Sequence, residues 1–199
     1  MADAASVTPG RWIRMGWRIF KEDVGNFILI TLIGLALSAA GSFVVAGPIL
    51  AGFFLVARRR MLEQRTDLND LFAGFGRFVD AFLAYVVTLI FLVVALAFCI
   101  VPVFIVAAFY LFTYLFIVDR QMAFWEAMEA SRRLVMQNLV GYTSFCLLLL
   151  LLNLLGLFLA GVGLLVTVPV SVAAVCVAYN ETAGFAYKPV ESHGPIRIP

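Results

Sequence analysis

Three long stretches of the chain contain no Lys, Arg, Asp or Glu, and they constrain the fold more than any other feature of the sequence. They cover residues 27–57, 81–118 and 134–180, which are 31, 38 and 47 residues long. An α-helix crosses the hydrocarbon core of a bilayer with about 20 apolar residues. Only 13% of the residues are charged, whereas a soluble domain carries about 25% charged residues. The sequence therefore predicts an all-α integral membrane protein and excludes a soluble fold.

Each charge-free stretch is longer than one membrane span requires, so we expect a turn within each of them. Gly and Pro interrupt helical patterns, and they mark candidate turns at residues 46–48, 100–102 and 160–163. The sequence therefore predicts about six membrane segments arranged as three helical hairpins. The hairpins cover about residues 24–62, 79–118 and 139–180.

The second of these segments is the shortest. Its uncharged part, residues 49–57, would rise only about 14 Å as an α-helix, about half of the hydrocarbon core. Arg58, Arg59 and Arg60 follow directly, and their long side chains can reach the interface from a longer helix. We favour the longer helix, and a re-entrant hairpin is the alternative.

The positions of the basic residues predict the orientation of the chain. All 14 Lys and Arg residues lie outside the hairpins or, for Arg58, Arg59 and Arg60, at the end of the first one, and none lies in a predicted turn. In a six-span protein these positions share one side of the membrane, which the positive-inside rule identifies as the cytoplasm. We therefore expect both termini to be cytoplasmic. A five-span chain would place the tail, with Lys188 and Arg197, on the opposite side.

We expect residues 10–183 to form a single helical membrane domain. Residues 1–9 form an N-terminal tail that lacks the pattern of a cleaved signal peptide, so we expect this terminus to be retained. Residues 184–199 contain prolines and mixed polar residues without periodicity. This composition predicts an irregular C-terminal tail.

An amphipathic helical pattern precedes each predicted hairpin, in residues 11–24, 67–82 and 122–135. In the last of these, Glu129 and Arg133 are spaced to pair at i, i+4. The pattern predicts an interfacial helix before each hairpin, used three times as an internal repeat. The alternative is that any connector at the interface becomes amphipathic. The predicted apolar faces are Ile13, Trp17, Phe20 and Val24; Leu68, Leu71, Phe72, Phe75, Val79 and Phe82; and Phe124, Ala127, Met128, Ser131 and Val135.

Basic side chains on the cytoplasmic side are the candidate contacts to lipid headgroups. Four of them oppose the apolar face of residues 11–24, and three follow the second membrane segment. Lys and Arg near a membrane surface attract anionic lipids, so anionic membrane lipids are the expected partners. The candidates are Arg11, Arg14, Arg18, Lys21, Arg58, Arg59 and Arg60.

Short sequence strings give the chain a resemblance to a known group of proteins. DLFAGFGRF precedes one hairpin, FWEAMEASRRLV precedes another, and Gly-Pro lies in the first predicted turn. With these strings the chain resembles a family of uncharacterised bacterial multi-span inner-membrane proteins. It is similar, more distantly, to the membrane domain attached to some glycerophosphodiester phosphodiesterases. The resemblance implies the bacterial inner membrane and no catalytic residue, because that active site belongs to a separate soluble domain.

The sequence contains no motif that indicates catalysis. His193 is the only histidine, whereas catalytic triads and zinc sites need several converging side chains. GxSxG, P-loop and GxGxxG strings are absent from the sequence. We therefore expect a protein that is not an enzyme and has no catalytic residue, cofactor or metal. The net charge of +2 does not indicate nucleic acid as a partner.

Asn153 and Tyr114 are the candidate polar site within the membrane. Asn153 interrupts a run of leucines, and a carboxamide in a membrane helix typically forms an interhelical hydrogen bond worth about 0.6–2 kcal/mol. We favour this structural role over substrate binding.

Gly34, Ser38 and Ser42 recur at a spacing of four residues. Small residues at this spacing let membrane helices approach closely, so we predict a helix-packing face. Packing within the chain is the favoured interpretation, and homo-oligomerisation through the same face is the alternative.

Two hypotheses for the function follow. The first is a non-enzymatic membrane protein that organises lipids, itself or partner proteins, because the distinctive patterns lie in the basic amphipathic segments. The second is a small-molecule or lipid transporter or channel that acts as an oligomer, with Pro48, Pro102 and Pro169 shaping a cavity. Ion-coupled transport commonly uses an ionisable residue within the spans, and the charge-free stretches contain none.

Overall fold

The computed structural model describes residues 7–62, 68–98, 100–159 and 161–186, with side chains except at 35, 37–43, 68, 98, 100 and 101. Every regular element among these residues is a helix, which confirms the predicted all-α fold. A short 3-10 helix, Gly74–Arg77, joins the third α-helix to the fourth. The α-helices of the described residues are α1 (Pro9–Glu22), α2 (Val24–Met61), α3 (Leu68–Ala73), α4 (Phe78–Phe98), α5 (Ile100–Phe109), α6 (Thr113–Arg120), α7 (Phe124–Met136), α8 (Leu139–Phe158) and α9 (Leu164–Thr182).

Within the described part of the chain, four helical stretches are long and apolar enough to cross a membrane. They agree with the predicted membrane protein. Large apolar side chains on α4 and α8 are exposed, among them Val93, Leu155 and Phe158, as expected of faces that contact lipid rather than water. The stretches are Asn69–Ala97, Pro102–Arg120, Leu139–Phe158 and Leu164–Thr182.

Residues 46–48, where the first turn is predicted, have helical backbone and lie within α2. Gly47 is buried there, and a Cβ atom on it would collide with the backbone of Ala81 in α4. Gly52 lies one turn further along, similarly close to the backbone of Leu71 in α3. Glycine therefore serves close helix packing here rather than a change of direction.

The helix α2 nevertheless bends back on itself. A Cβ atom on Gly34 would lie 2.5 Å from Cε2 of Phe53. Nineteen residues of straight α-helix would separate these positions by about 28 Å. The two halves of α2 therefore pack against each other, with the bend between Gly34 and Ile49.

The chain also reverses direction around the second predicted turn. The helix α4 ends at Phe98 and α5 begins at Ile100, two residues before Pro102. The ring of Phe91 in α4 stacks on Tyr110, just after α5, with 5.7 Å between the ring centroids. Because these residues are 19 positions apart, the chain reverses between them.

The third predicted turn is confirmed at residues 161–163, while residue 160 lies outside the described residues. Residues 161–163 form a turn between α8 and α9, and Gly161 has a φ angle of +77°, which favours glycine. The backbone of Gly163 approaches that of Gly156 so closely that a Cβ atom would lie 2.5 Å from the Gly156 oxygen. The helices α8 and α9 are therefore antiparallel neighbours.

The amphipathic segments are helical, but their buried faces agree with the prediction to different degrees. In α7 the buried residues include Ala127, Met128, Ser131 and Val135, as predicted. The middle segment is divided among α3, the 3-10 helix and the start of α4, and Phe72 and Val79 of its predicted apolar face are exposed. In α7, then, the sequence pattern identifies the packing face correctly.

The buried face of α1 differs from the predicted one. Trp12, Gly16 and Phe20 are buried, whereas Trp17, placed on the apolar face by the pattern, is 40% exposed. A Cβ atom on Gly16 would lie 2.7 Å from backbone atoms of α9. The packed face of α1 therefore shares only Phe20 with the predicted apolar face, because a hydrophobic pattern gives no weight to a glycine that permits close helix contact.

Candidate functional site

Several charged side chains meet where α2, α6 and α9 end. The helices α6 and α9 are buried there, with every residue from Thr113 to Asp119 and from Val172 to Tyr179 enclosed by the protein. Arg58 belongs to the last turn of α2. These three helices therefore bring polar side chains from distant parts of the sequence into one buried layer.

Asp119 is the centre of this layer. Its side chain is fully buried, and Arg58, whose side chain is 12% exposed, forms a salt bridge to it with 2.8 Å between Nε and Oδ1. The other carboxylate oxygen, Oδ2, accepts hydrogen bonds from the Tyr179 hydroxyl at 3.1 Å and the Ala186 backbone N–H at 2.9 Å. We call Arg58, Asp119, Tyr179 and Ala186 the Asp119 centre. It joins α2, α6, α9 and the segment after α9.

Aromatic rings enclose the Asp119 centre. The Tyr179 ring lies edge-on to Phe116, with 5.1 Å between centroids, and 5.8 Å from Phe185. The Arg58 guanidinium lies 5.6 Å from the centroid of the Phe185 ring. Phe185, which falls in the tail predicted to be irregular, is buried. The rings keep water from the ion pair, which strengthens its electrostatic attraction.

Further ion pairs join the other helices at this end. Glu181 of α9 accepts hydrogen bonds from Arg11 at 2.5 Å and from the Trp12 indole at 2.6 Å, both in α1. Arg59 in α2 forms a salt bridge to Asp70 in α3. These contacts fix α1 and α3 to the bundle.

Asp80 of α4 holds the beginning of α7. One of its carboxylate oxygens accepts a hydrogen bond from the Phe124 backbone N–H at 3.1 Å. The other forms a salt bridge to Arg77 at 3.2 Å. A carboxylate at a helix N-terminus satisfies a backbone donor that the helix itself leaves free. An aspartate that follows α3 in sequence thus caps a helix more than 40 residues later.

The predicted pair on α7 is present and includes a second arginine. Glu129 forms salt bridges to Arg133 at 3.0 Å and to Arg132 at 2.8 Å. Hydrogen bonds from Arg132 and Arg133 lower the pKa of the Glu129 carboxyl to about 2. Glu129 therefore remains ionised well below neutral pH.

Three basic residues of α1 differ from the rest. Arg14, Arg18 and Lys21 are exposed, and no carboxylate or carbonyl group of the described residues pairs with them. Lys21 lies 5.2 Å from the ring centroid of the exposed Trp17. Every other described Lys or Arg forms a salt bridge or hydrogen bond with another part of the chain.

The predicted headgroup contacts therefore fall into two groups. Arg11, Arg58, Arg59 and Arg60 contact carboxylates of the chain itself, and Arg58 is mostly enclosed. Arg14, Arg18 and Lys21 present their charge outward. This group of three, with the neighbouring Trp17, is called the α1 basic face below.

Asn153 and Tyr114, the predicted polar site within the membrane, share no described contact. The Asn153 side-chain amide donates hydrogen bonds to the Leu149 carbonyl and to Ser171 Oγ in α9, both at 2.8 Å. Tyr114 lies in α6 and stacks on Phe54, with 6.2 Å between centroids. Asn153 thus forms the interhelical hydrogen bond that the sequence favoured.

The predicted helix-packing face is described only at Gly34, which is buried against Phe53. The side chains of Ser38 and Ser42 lie outside the described residues. The contact at Gly34 is made within the chain, as the favoured interpretation expected.

The sequence pattern missed Asp119 and Tyr179 as functional candidates. Asp119 follows one charge-free stretch and Arg58 follows another. The sequence predicts Arg58 as a lipid-headgroup contact, and it assigns no role to Asp119. The sequence did contain one signal. Arg58 and Asp119 carry opposite charges, and each lies next to a long apolar run. Only the fold shows that these two boundaries meet.

The comparisons with known proteins add no assignment. No family model, curated protein or solved structure matches the chain. No group of three or more His, Cys, Asp or Glu side chains that could hold a metal ion is found among the residues that the structure describes. The α1 basic face is therefore the candidate functional site, and the Asp119 centre joins the helices around it.

Proposed function

We propose that this chain is a non-enzymatic, multi-pass protein of the bacterial inner membrane that organises anionic lipids through the α1 basic face. The observation that carries the proposal is the contrast between Arg14, Arg18 and Lys21, which no described group neutralises, and the paired basic residues around them. Unpaired cations at the end of a membrane protein attract anionic headgroups, by about 1 kcal/mol each.

The attachment of α1 supports this proposal. Trp12 packs against Tyr142 and Phe145 of α8, with 6.0 and 5.0 Å between ring centroids, while Gly16 contacts α9. These contacts leave α1 little freedom to turn its charges inward. A preorganised cationic surface binds with a smaller entropic cost than a mobile one.

The proposed topology has six membrane segments in three antiparallel pairs, each preceded by an interfacial helix, with both termini in the cytoplasm. Contacts within each pair support it, namely Gly34 with Phe53, Phe91 with Tyr110, and Asn153 with Ser171. The charged residues at one end of the bundle agree with the positive-inside rule.

A second candidate function, a lipid or small-molecule transporter acting as an oligomer, has one observation in its favour. A groove of about 440 Å³ lies between α5 and α8, lined by apolar side chains that include Phe104, Ile105 and Leu147. Asn153 and Tyr114 do not line this groove. Movement of a fluorescent phospholipid between the leaflets of proteoliposomes would favour this function over lipid organisation without transport.

Lipid composition around the purified protein tests the leading proposal. The protein is placed in membranes of phosphatidylglycerol and phosphatidylcholine, extracted with its surrounding lipids, and the ratio of the two lipids is measured by mass spectrometry. The variant R14Q/K21Q removes two unpaired charges, and R132Q/R133Q removes two charges that Glu129 already binds. We expect R14Q/K21Q to lower the enrichment of phosphatidylglycerol severalfold and the control to lower it less. Equal ratios in all three proteins would contradict the proposal.

A further inference from the structure

A second groove lies at the charged end, between α1 and the end of α2, and its lining is both apolar and cationic. Its volume is about 220 Å³. Met15, Ile19 and Val177 contribute apolar surface, and Arg18 and Arg60 contribute positive charge. We call it the α1–α2 groove. Its lining matches the two chemical parts of a phospholipid.

The two arginines of the α1–α2 groove retain unused hydrogen-bonding capacity. Arg18 is exposed and has no counter-ion among the described residues. Arg60 donates one hydrogen bond to the Glu22 carbonyl oxygen at 3.1 Å. Its Nε atom is buried without a hydrogen-bond partner and lies 3.9 Å from the Glu22 carboxylate. That distance is too long for a hydrogen bond.

The balance of charge in the α1–α2 groove favours an anion. Glu22 supplies one negative charge against the two positive charges of Arg18 and Arg60, and its side chain is 53% exposed. Guanidinium groups bind phosphate oxygens through geometrically matched N–H donors. A phosphate near both arginines would accept hydrogen bonds from their free N–H groups, to which the Glu22 carboxylate binds only weakly.

We propose that the α1–α2 groove binds one anionic phospholipid, with its headgroup between Arg18 and Arg60 and its glycerol and first methylenes against Met15 and Ile19. This site rests on the proposed function and narrows it from a surface to a single lipid position. The apolar lining favours a phospholipid over a free phosphate, because a free phosphate would leave the apolar surface of the groove exposed to water.

Native mass spectrometry of the full chain, released from nanodiscs of phosphatidylglycerol and phosphatidylcholine, tests the site. The readout is the one phosphatidylglycerol that stays bound after detergent washing, which is separate from enrichment in the surrounding lipid. We expect R18Q to lower its occupancy about tenfold, the effect of losing a charge-assisted contact. R14Q is the matched control, because Arg14 lies on the same helix, is exposed and does not line the groove.

A variant with the opposite expected effect makes the test independent of folding defects. E22Q removes the competing carboxylate while keeping the backbone oxygen that Arg60 contacts, so it should raise the occupancy. If R14Q and R18Q cause equal losses and E22Q causes no gain, the groove is overturned while the α1 basic face stands. If no variant changes either the occupancy or the lipid ratio, the site and the proposed function both fail.

Discussion

Asp119 shows how one side chain can hold distant helices together. A fully buried carboxylate is costly unless it is paired and hydrogen-bonded. Asp119 meets both conditions through Arg58, Tyr179 and the Ala186 N–H. Its removal leaves Arg58 as a buried cation without its partner.

We therefore expect D119N to lower the free energy of unfolding by about 3–5 kcal/mol, the usual effect of breaking a buried pair. Thermal unfolding in detergent, followed by circular dichroism, measures the change. E126Q, on the exposed side of α7, is the control and should change the free energy by less than about 0.5 kcal/mol. If D119N unfolds like the control, Asp119 does not hold the bundle together.

Glu129 gives a pH dependence whose sign follows from its pairs. Its folded pKa is about 2, below the ordinary value of 4.5, because Arg132 and Arg133 stabilise the carboxylate. Its contribution to stability is therefore complete above pH 4.5 and is lost as the pH falls towards 2. Between pH 5 and 2 the wild-type protein should lose more unfolding free energy than E129Q. Parallel pH profiles of the two proteins would show that these pairs do not stabilise the fold.

At the scale of the helices, packing between backbones decides where the elements lie. In α1, Gly16 lies against α9. A Cβ atom added to Gly16 would lie only 2.7 Å from the backbone nitrogen of Ala174. Gly10 in the same helix has no neighbouring atom within 4 Å of its Cβ position. The two glycines provide a matched comparison.

We expect G16A to displace α1 and to increase proteolysis between α1 and the rest of the chain. G10A should leave the digestion unchanged, because alanine fits there and favours helix. Limited proteolysis in detergent, read by mass spectrometry, makes the comparison. Equal digestion of the two variants would contradict the close contact of α1 with α9.

The sequence predicted the helices, the turn at residues 161–163 and the buried face of α7, because these depend on local pattern. It did not predict that Gly47 packs against Ala81. A glycine is compatible with a turn and with close packing, and the neighbour that decides between them is distant in sequence. Asp119 was missed for the same reason, since its partner Arg58 lies 61 residues earlier.

At the scale of the whole molecule, one end of the bundle is charged and largely neutralised from within. Most of the described basic residues there bind carboxylates or carbonyls elsewhere in the chain. Arg14, Arg18 and Lys21 of the α1 basic face have neither a salt bridge nor a hydrogen bond to another described residue, and we propose that anionic lipids balance their charge. The central claim is therefore that anionic lipids concentrate at α1.

Quenching of Trp17 fluorescence by brominated lipids tests this claim most directly. W125F removes the other exposed indole, while Trp12 is buried and contributes a constant background. At the same mole fraction, brominated phosphatidylglycerol should quench Trp17 more than brominated phosphatidylcholine, and R14Q/K21Q or high salt should abolish the difference. Equal quenching by the two lipids at low salt would contradict the account.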